Sequence, residues 1–145
     1  MRAHTRVELA QALKRREIPD DVAETVLGKF DAAGLIDDAA FAAMWVRSRH
    51  ENQGLGRRAL AVELKRRGVD SEVVADAVDA VDDEAEEERA AALVRKRLRS
   101  MSGVDEQAKI RRLVGMLARK GYGQGLAYRV VRAELGAEGL DDVDG

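Results

Sequence analysis

Three stretches decide the fold: ELAQALKRREIPDDVAETVL (Glu8 to Leu27), ALAVELKRRGVDSEVVADAV (Ala59 to Val78) and RLVGMLARKGYGQGLAYRVV (Arg112 to Val131). They start 51 and then 53 residues apart and are degraded copies of one unit. Leu9, Leu60 and Leu113 coincide, as do Leu13, Leu64 and Leu117. Ile18, Val69 and Tyr122 form a third set, Val22, Val73 and Leu126 a fourth, and Leu27, Val78 and Val131 a fifth. A basic pair precedes each turn: Arg15-Arg16, Arg66-Arg67 and Arg119-Lys120. Apolar residues four apart share one face of a helix, so each copy reads as helix, tight turn, helix. A repeat of this size specifies a modular helical array, which presents a long surface to a partner and rarely encloses an active site.

The turns have their own chemistry. Gly68 stands where a helix end needs φ > 0, and Asp70 is placed to cap the next helix, with Glu72 in its first turn. In the first copy Glu17 replaces the glycine, and Pro19 with Asp20-Asp21 restarts the helix. In the third, Gly121, Gly123 and Gly125 flank Tyr122 and Gln124, which predicts the loosest of the three turns. Longer helices separate the copies. Gly34-Leu35-Ile36-Asp37-Asp38 is a stop-and-restart signal, with Asp37 or Asp38 as cap. The helix that follows, about Asp38 to Asn52, is expected to bury Phe41, Met44, Trp45 and Ser48. A second long helix, about Asp83 to Met101, opens on Asp83, Glu84, Glu86, Glu87 and Glu88 and closes on Arg95, Lys96, Arg97 and Arg99, complementing the helix dipole at both ends. The reading is all-α: about eight helices in tandem three-helix repeats, forming an elongated, bent array of small bundles. Repeat 1 takes residues 1–52, repeat 2 residues 53–101 and repeat 3 residues 102–136. An acidic, flexible tail takes 137–145.

Composition narrows the function classes. Hydrophobic residues make up 46 %, enough for a core, but aromatics only 3 %, so the helices pack through Ala, Leu and Val. The absence of cysteine excludes disulfides and thiolate metal sites. No N-terminal run reads as a signal peptide, and no segment approaches the roughly 18–20 apolar residues of a membrane span. The cytoplasm is the expected location. His4 and His50 are the only histidines, and neither has a partner at triad-like or ligand-like spacing. The carboxylates from Asp83 to Glu88 point in different directions round a helix and read as dipole complements. No catalytic residue, metal or cofactor is expected.

The net charge of −2 conceals segregation. Residues 47 to 67 carry 7 basic and 2 acidic side chains, and residues 89 to 132 carry 12 and 2. Acids concentrate between Asp70 and Glu88 and after Glu138. Such segregation makes local fields suited to a polyanion or an acidic protein groove, although charged helices also need solvated faces. The candidate contact residues are Arg47, Arg49, Arg57, Arg58, Lys65, Arg66, Arg67, Arg95, Arg97, Arg99, Arg111, Arg112, Arg119 and Lys120. Phosphate contacts from such side chains are salt-dependent and tolerant of sequence. A base-reading helix-turn-helix fits poorly, because its second helix must offer donors to the major groove. The second helix of copy two offers Asp70, Glu72, Asp76 and Asp79, and that of copy one Asp20, Asp21 and Glu24. Only copy three, with Arg129 and Arg132, is compatible. Tyr122 and Tyr128 read as fillers of the last bundle, with base stacking as the alternative.

The run GLIDDAAFAAMWVRSR (Gly34 to Arg49), followed by GRRALAVELKRRGV (Gly56 to Val69), resembles the RecX family of recombinase regulators. LVRKRL (Leu93 to Leu98) and RRLVGMLARKGYGQGLAYRVV (Arg111 to Val131) fit it in order and spacing. The resemblance spans nearly the whole chain. It implies a small, non-enzymatic, all-α protein of tandem three-helix repeats that binds the RecA recombinase filament along its groove and restrains ATPase and strand exchange in DNA repair and the SOS response. It also implies weak, sequence-tolerant contact with single- or double-stranded DNA, by a monomer. The residues alone leave two alternatives: a helical DNA-binding module with no recombinase partner, and an adaptor for another acidic partner. Members of the family have a further helix ahead of the segment matching Thr5 to Leu13. Only four residues precede Thr5 here, so Leu9, Leu13 and Val26 are expected to lack part of their cover.

Overall fold

The computed structural model describes residues 5–33 and 36–144, with side chains as far as Glu138. Among the described residues there are eight helices and no strand: α1 (Arg6–Arg15), α2 (Asp20–Ala32), α3 (Asp38–Gln53), α4 (Arg57–Arg66), α5 (Ser71–Asp79), α6 (Asp83–Leu98), α7 (Glu106–Arg119) and α8 (Gln124–Asp144). Side-chain caps explain several of the helix starts. Oγ1 of Thr5 accepts from the Glu8 N–H at 3.0 Å, Oδ1 of Asp37 from Ala40 at 2.9 Å, Oδ1 of Asp82 from Ala85 at 2.8 Å and Oδ1 of Asp105 from Ala108 at 2.9 Å. Asp70 occupies the expected N-cap position of α5 but makes no capping bond, and Pro19 rather than Asp20 stands at the N-cap of α2. Gly34 and Leu35 of the stop-and-restart signal lie outside the described residues, as does His4.

The chain forms two compact units: residues up to 48 together with 61–80, and residues 49–60 together with 81 onward. In the first, Leu27, Phe41, Ala42, Val46, Leu64, Val69, Val74 and Ala77 are buried. Met44 and Ser48 are exposed and Trp45 half-buried, against the expectation that all three are core. Helical phase explains this. Met44 and Ser48 lie two residues past Ala42 and Val46, about 200° round the helix from the buried stripe. The leucine register of α1 behaves differently from its copies. Leu60, Leu64, Leu113 and Leu117 are 0 % exposed, whereas α1 has no fully buried residue and Leu9, Leu13 and Val26 are half-buried. A long helix, α3 or α6, precedes the pair in copies two and three; no described helix precedes α1.

The second unit is built on Ala90, Val94, Met101, Leu113, Leu117, Tyr122, Ala127, Val130 and Val131, from α6, α7 and α8. Two sequence expectations change here. α6 stops at Leu98 rather than Met101. α8 continues through Gly136 to Asp144, so the stretch expected to fray from residue 137 is helical.

The three copied turns share one backbone device. Glu17, Gly68 and Gly121 all have positive φ, at 59°, 84° and 95°. At Gly68 an added Cβ would stand 2.5 Å from the Val7 side chain at the start of α1. At Gly121 it would stand 2.4 Å from Cβ of Ala59 at the start of α4. The turn of one copy is thus pressed against the first helix of the copy before it. Glu17 adopts the left-handed conformation with a side chain in place, at roughly 1–2 kcal/mol. The third turn, expected to be the loosest, is clamped. The N–H of Gly56 donates to Lys120 O at 2.7 Å, the N–H of Arg58 to Gly121 O at 3.2 Å, and the Tyr122 hydroxyl to Gly54 O at 2.8 Å.

Gly103 also has positive φ but nothing within 4 Å of an added Cβ. Gly103→Ala is therefore expected to cost only the backbone term, about 1–2 kcal/mol. Gly121→Ala adds overpacking of about 1–3 kcal/mol. Urea denaturation of the two variants checks this, and equal losses would show that the third turn is not clamped.

Candidate interaction surface

The basic residues divide into those that build the fold and those that face outward. A recurring bolt accounts for the first kind. Arg6 and Arg57 open α1 and α4 and are 51 residues apart. The N–H of Arg6 donates to Oδ1 of Asp38 at 3.1 Å, and the N–H of Arg57 donates to Oε2 of Glu86 at 2.8 Å. Asp38 and Glu86 belong to the first turns of α3 and α6, and each is followed by Ala at +4 and Val at +8: Ala42 and Val46, Ala90 and Val94. All four apolar residues are buried. The long helix thus docks through one stripe, and its carboxylate satisfies an N–H that the opening turn of a helix leaves orphaned.

Arg57 does more than lend its N–H. Its guanidinium reaches Asp83 and also Glu86 at 3.3 Å, and Glu86 is 5 % exposed. The hydrogen bonds to Asp83 and then to Glu86 raise the Arg57 pKa above its ordinary value. A buried carboxylate is tolerated when paired and hydrogen-bonded, and this one is both. Arg57, a sequence candidate for partner contact, thus has its guanidinium held by Asp83 and Glu86. Lys120 also makes a contact within the chain, its Nζ donating to Gln53 O at 2.9 Å. Arg89, absent from the sequence candidates, closes the end of α3 by donating to His50 O and Glu51 O, both at 3.2 Å. His50 is likewise a helix-end group: it is half-buried, with Nδ1 2.8 Å from Leu55 O. A sequence signal for the bolt existed in the paired arginines and the acid-Ala-Val spacing, but the number of acids near Glu86 hid which one turns inward.

The other candidates are placed as follows. In the first unit, Arg67 lies over the Trp45 ring, 4.1 Å from its centroid, and 6.0 Å from that of Phe41, a cation–π arrangement. Trp45 donates to Oε1 of Glu63 at 3.0 Å. Lys65 and Arg66 at the end of α4 and Arg47 on α3 are exposed. In the second unit, Arg49 is half-buried, Arg95 pairs with Glu134 at 3.0 Å, and Arg97 donates to Ser100 Oγ at 3.3 Å. The Arg58 guanidinium lies beside Gly123, and Arg119 folds back beside Gly115. Arg99, Arg111 and Arg112 are exposed. Exposed candidates thus occur on α3, α4, α6 and α7, in both units.

Tyr122 is buried as expected, but Tyr128 is 41 % exposed and does not fill the bundle. Arg132 on the same helix is exposed, and Arg129 pairs with Glu87 at 3.0 Å.

Among the described residues, no group of His, Asp and Glu is arranged to hold a metal ion. Every buried side-chain polar atom has a hydrogen-bond partner. The grooves of the second unit are open and of about 360–440 Å³, with charged linings such as Arg57, Arg58, Asp83, Glu86 and Arg129. No helix is long and apolar enough to cross a membrane.

Comparison with known proteins gives three consecutive matches to one family. The model described as RecX, first three-helix domain, matches residues 1–30; the second domain matches 37–78; the third matches 84–131. In the second and third intervals the long helices α3 and α6 come first. The chain is 57 % identical over 147 residues to the regulatory protein RecX of Amycolatopsis mediterranei, covering 98 % of this chain and 84 % of that one. It is 55 % identical to that of Thermobifida fusca, over 94 % and 74 % of the two chains. Among solved structures, RecX from Lactobacillus salivarius superposes with a TM-score of 0.86 at 21 % identity, covering 92 % of this chain and 86 % of that one. A second, the crystal structure of regulatory protein RecX, gives 0.83 at 25 % identity, over 92 % and 65 %.

Tyr122 supplies a pH prediction. Burial pushes its hydroxyl up from 10.0 to about 12, with Glu86 adding to the rise and Arg89 opposing it. The unfolded chain loses this proton first, so stability is intact below pH 10 and falls as pH rises from 10 toward 12, by an order of 2 kcal/mol. Urea midpoints across that range should fall less steeply in Tyr122→Phe. Identical slopes would remove Tyr122 as the titrating group.

Proposed function

The chain belongs to the RecX family, and we propose that it is a non-enzymatic negative modulator of a RecA-type recombinase. In this reading it binds the nucleoprotein filament and restrains its ATPase and strand exchange during DNA repair and the SOS response. The observation that carries the proposal is the placement of the exposed basic residues. Lys65 and Arg66 end α4 in one unit, and Arg99, Arg111 and Arg112 stand outward in the other, while no cavity among the described residues holds a catalytic set. Cations spread over a repeat array suit a partner that is itself extended and acidic, as a filament with its DNA is. Each helical unit is held by its own core, so neighbouring filament subunits can be bridged at several points. Bridging opposes the subunit motions that ATP turnover requires. The protein acts in this scheme as a cytoplasmic monomer that needs no cofactor.

A second reading has one observation in its favour. Tyr128 is exposed with Arg132 four residues on, the pairing that stacks a base and neutralises a phosphate. It makes the chain a sequence-tolerant DNA-binding module with no recombinase partner.

The DNA-dependent ATPase of the recombinase, titrated with this protein at fixed salt beside its affinity for the same DNA, separates the two. Inhibition at substoichiometric protein, below the concentrations that bind free DNA, is expected. Inhibition only at DNA-saturating concentrations would favour the plain binder. Lys65→Glu with Arg66→Glu, which leaves the Arg67–Trp45 stack intact, should weaken inhibition at least tenfold, corresponding to about 1.4 kcal/mol, with helical circular dichroism unchanged. Undiminished inhibition by that variant would rule out the end of α4 as contact surface.

A further inference from the structure

α8 is longer than its counterparts, at 21 residues against 13 for α2 and 9 for α5. In repeat register the last residue of α2, Ala32, falls at Gly136, so the stretch beyond Gly136 has no equivalent in the earlier copies. That stretch is a poor helix in its own right. Gly136 and Gly139 interrupt it, and its last turn has no basic residue to complement the helix dipole. Leu135 packs against the core, and two ion pairs tie the distal half of α8 to its neighbours. Glu134 takes Arg95 of α6 at 3.0 Å, and Glu138 takes Lys109 of α7 at 3.4 Å. Lys109 is only 15 % exposed, so its ammonium has exchanged much of its water for that carboxylate. Glu138 continues the series of bolting carboxylates: Asp38, Glu86 and Glu138 are 48 and 52 residues apart, and serve Arg6, Arg57 and Lys109. The first two arrive on a long helix that also buries an Ala-Val stripe. The third arrives on a strand of sequence with Asp142 at the +4 position instead of alanine. Open grooves of about 400 and 360 Å³ flank this part of α8, one lined by Arg95 and Arg99, the other by Ile110 and Arg132.

We propose that α8 beyond Gly136 is an autoinhibitory latch, an internal stand-in for nucleic-acid phosphate in which Glu138 masks Lys109 until a polyanion displaces it. The inference rests on the reading that the basic faces contact a polyanionic partner. Single partly exposed ion pairs are weak and screened by salt, whereas a phosphate backbone engages several cations at once and releases its counterions. Displacement therefore favours the polymer over any single anion. The latch also explains why Lys109 is paired while Arg99, Arg111 and Arg112 stand open: the open cations make first contact and Lys109 adds to it.

The test is fluorescence anisotropy of labelled oligo(dT) with the full chain, with Glu138→Gln and with a chain ended at Gly136, at low and moderate salt. Glu84→Gln, an exposed change of equal charge in the first turn of α6, is the control. Glu138→Gln and the shortened chain should bind about five- to tenfold tighter at low salt, with the logarithmic salt slope steeper by about one, and Glu84→Gln should match the parent. Hydrogen exchange of residues 137–144 in the full chain should accelerate when oligo(dT) is saturating. Equal affinity of parent and Glu138→Gln would overturn the latch while leaving the polyanion reading in place. Failure of every form to bind oligo(dT) would overturn nucleic acid as the displacing partner, and the ATPase titration would then decide the proposed function separately.

Discussion

Each joint between consecutive copies depends on a close approach that only a bare backbone and a well-placed carboxylate permit. In the first unit the start of α1 lies against Gly68 and gives the Arg6 N–H to Asp38. In the second the start of α4 lies against Gly121 and gives the Arg57 N–H to Glu86. A helix start brought this close to a turn leaves no room for water to satisfy its N–H groups. The facing groups must therefore be acceptors: carbonyls of Lys120 and Gly121 on one side, a carboxylate on the other. Removing the acid leaves the helix-opening N–H without its acceptor, part-buried at Arg57 and exposed at Arg6.

That constraint sorts the charged residues. The arginines and lysines drawn into the joints cease to be a surface: Arg57 clamps Asp83 and Glu86, Arg89 and Lys120 close the end of α3, and Tyr122 adds a buried hydroxyl to the same strip of backbone. Arg47, Lys65, Arg66, Arg99, Arg111 and Arg112 are exposed, as are Arg58, Arg67, Arg95, Arg97 and Arg119.

The sequence by itself determined the repeat, the all-α class and the turns, because apolar registers four residues apart and glycines at fixed offsets act locally and leave a periodic trace. It also placed Leu60, Leu64, Leu113, Leu117 and Tyr122 in the core. Only tertiary structure decided which of several adjacent charges turns inward. Asp83, Glu84, Glu86, Glu87 and Glu88 look alike in a sequence, yet only Glu86 shares the stripe of Ala90 and Val94 and meets the opening N–H of α4. Met44 and Tyr128 were misjudged for a related reason. Hydrophobicity says that a side chain prefers burial, but the phase of the helix against its neighbours decides whether burial is offered. The turn at Gly121 shows the limit most clearly. Three glycines in five residues signal freedom when the chain is read alone, and the same missing side chains become tight packing once another helix start arrives to fill the space.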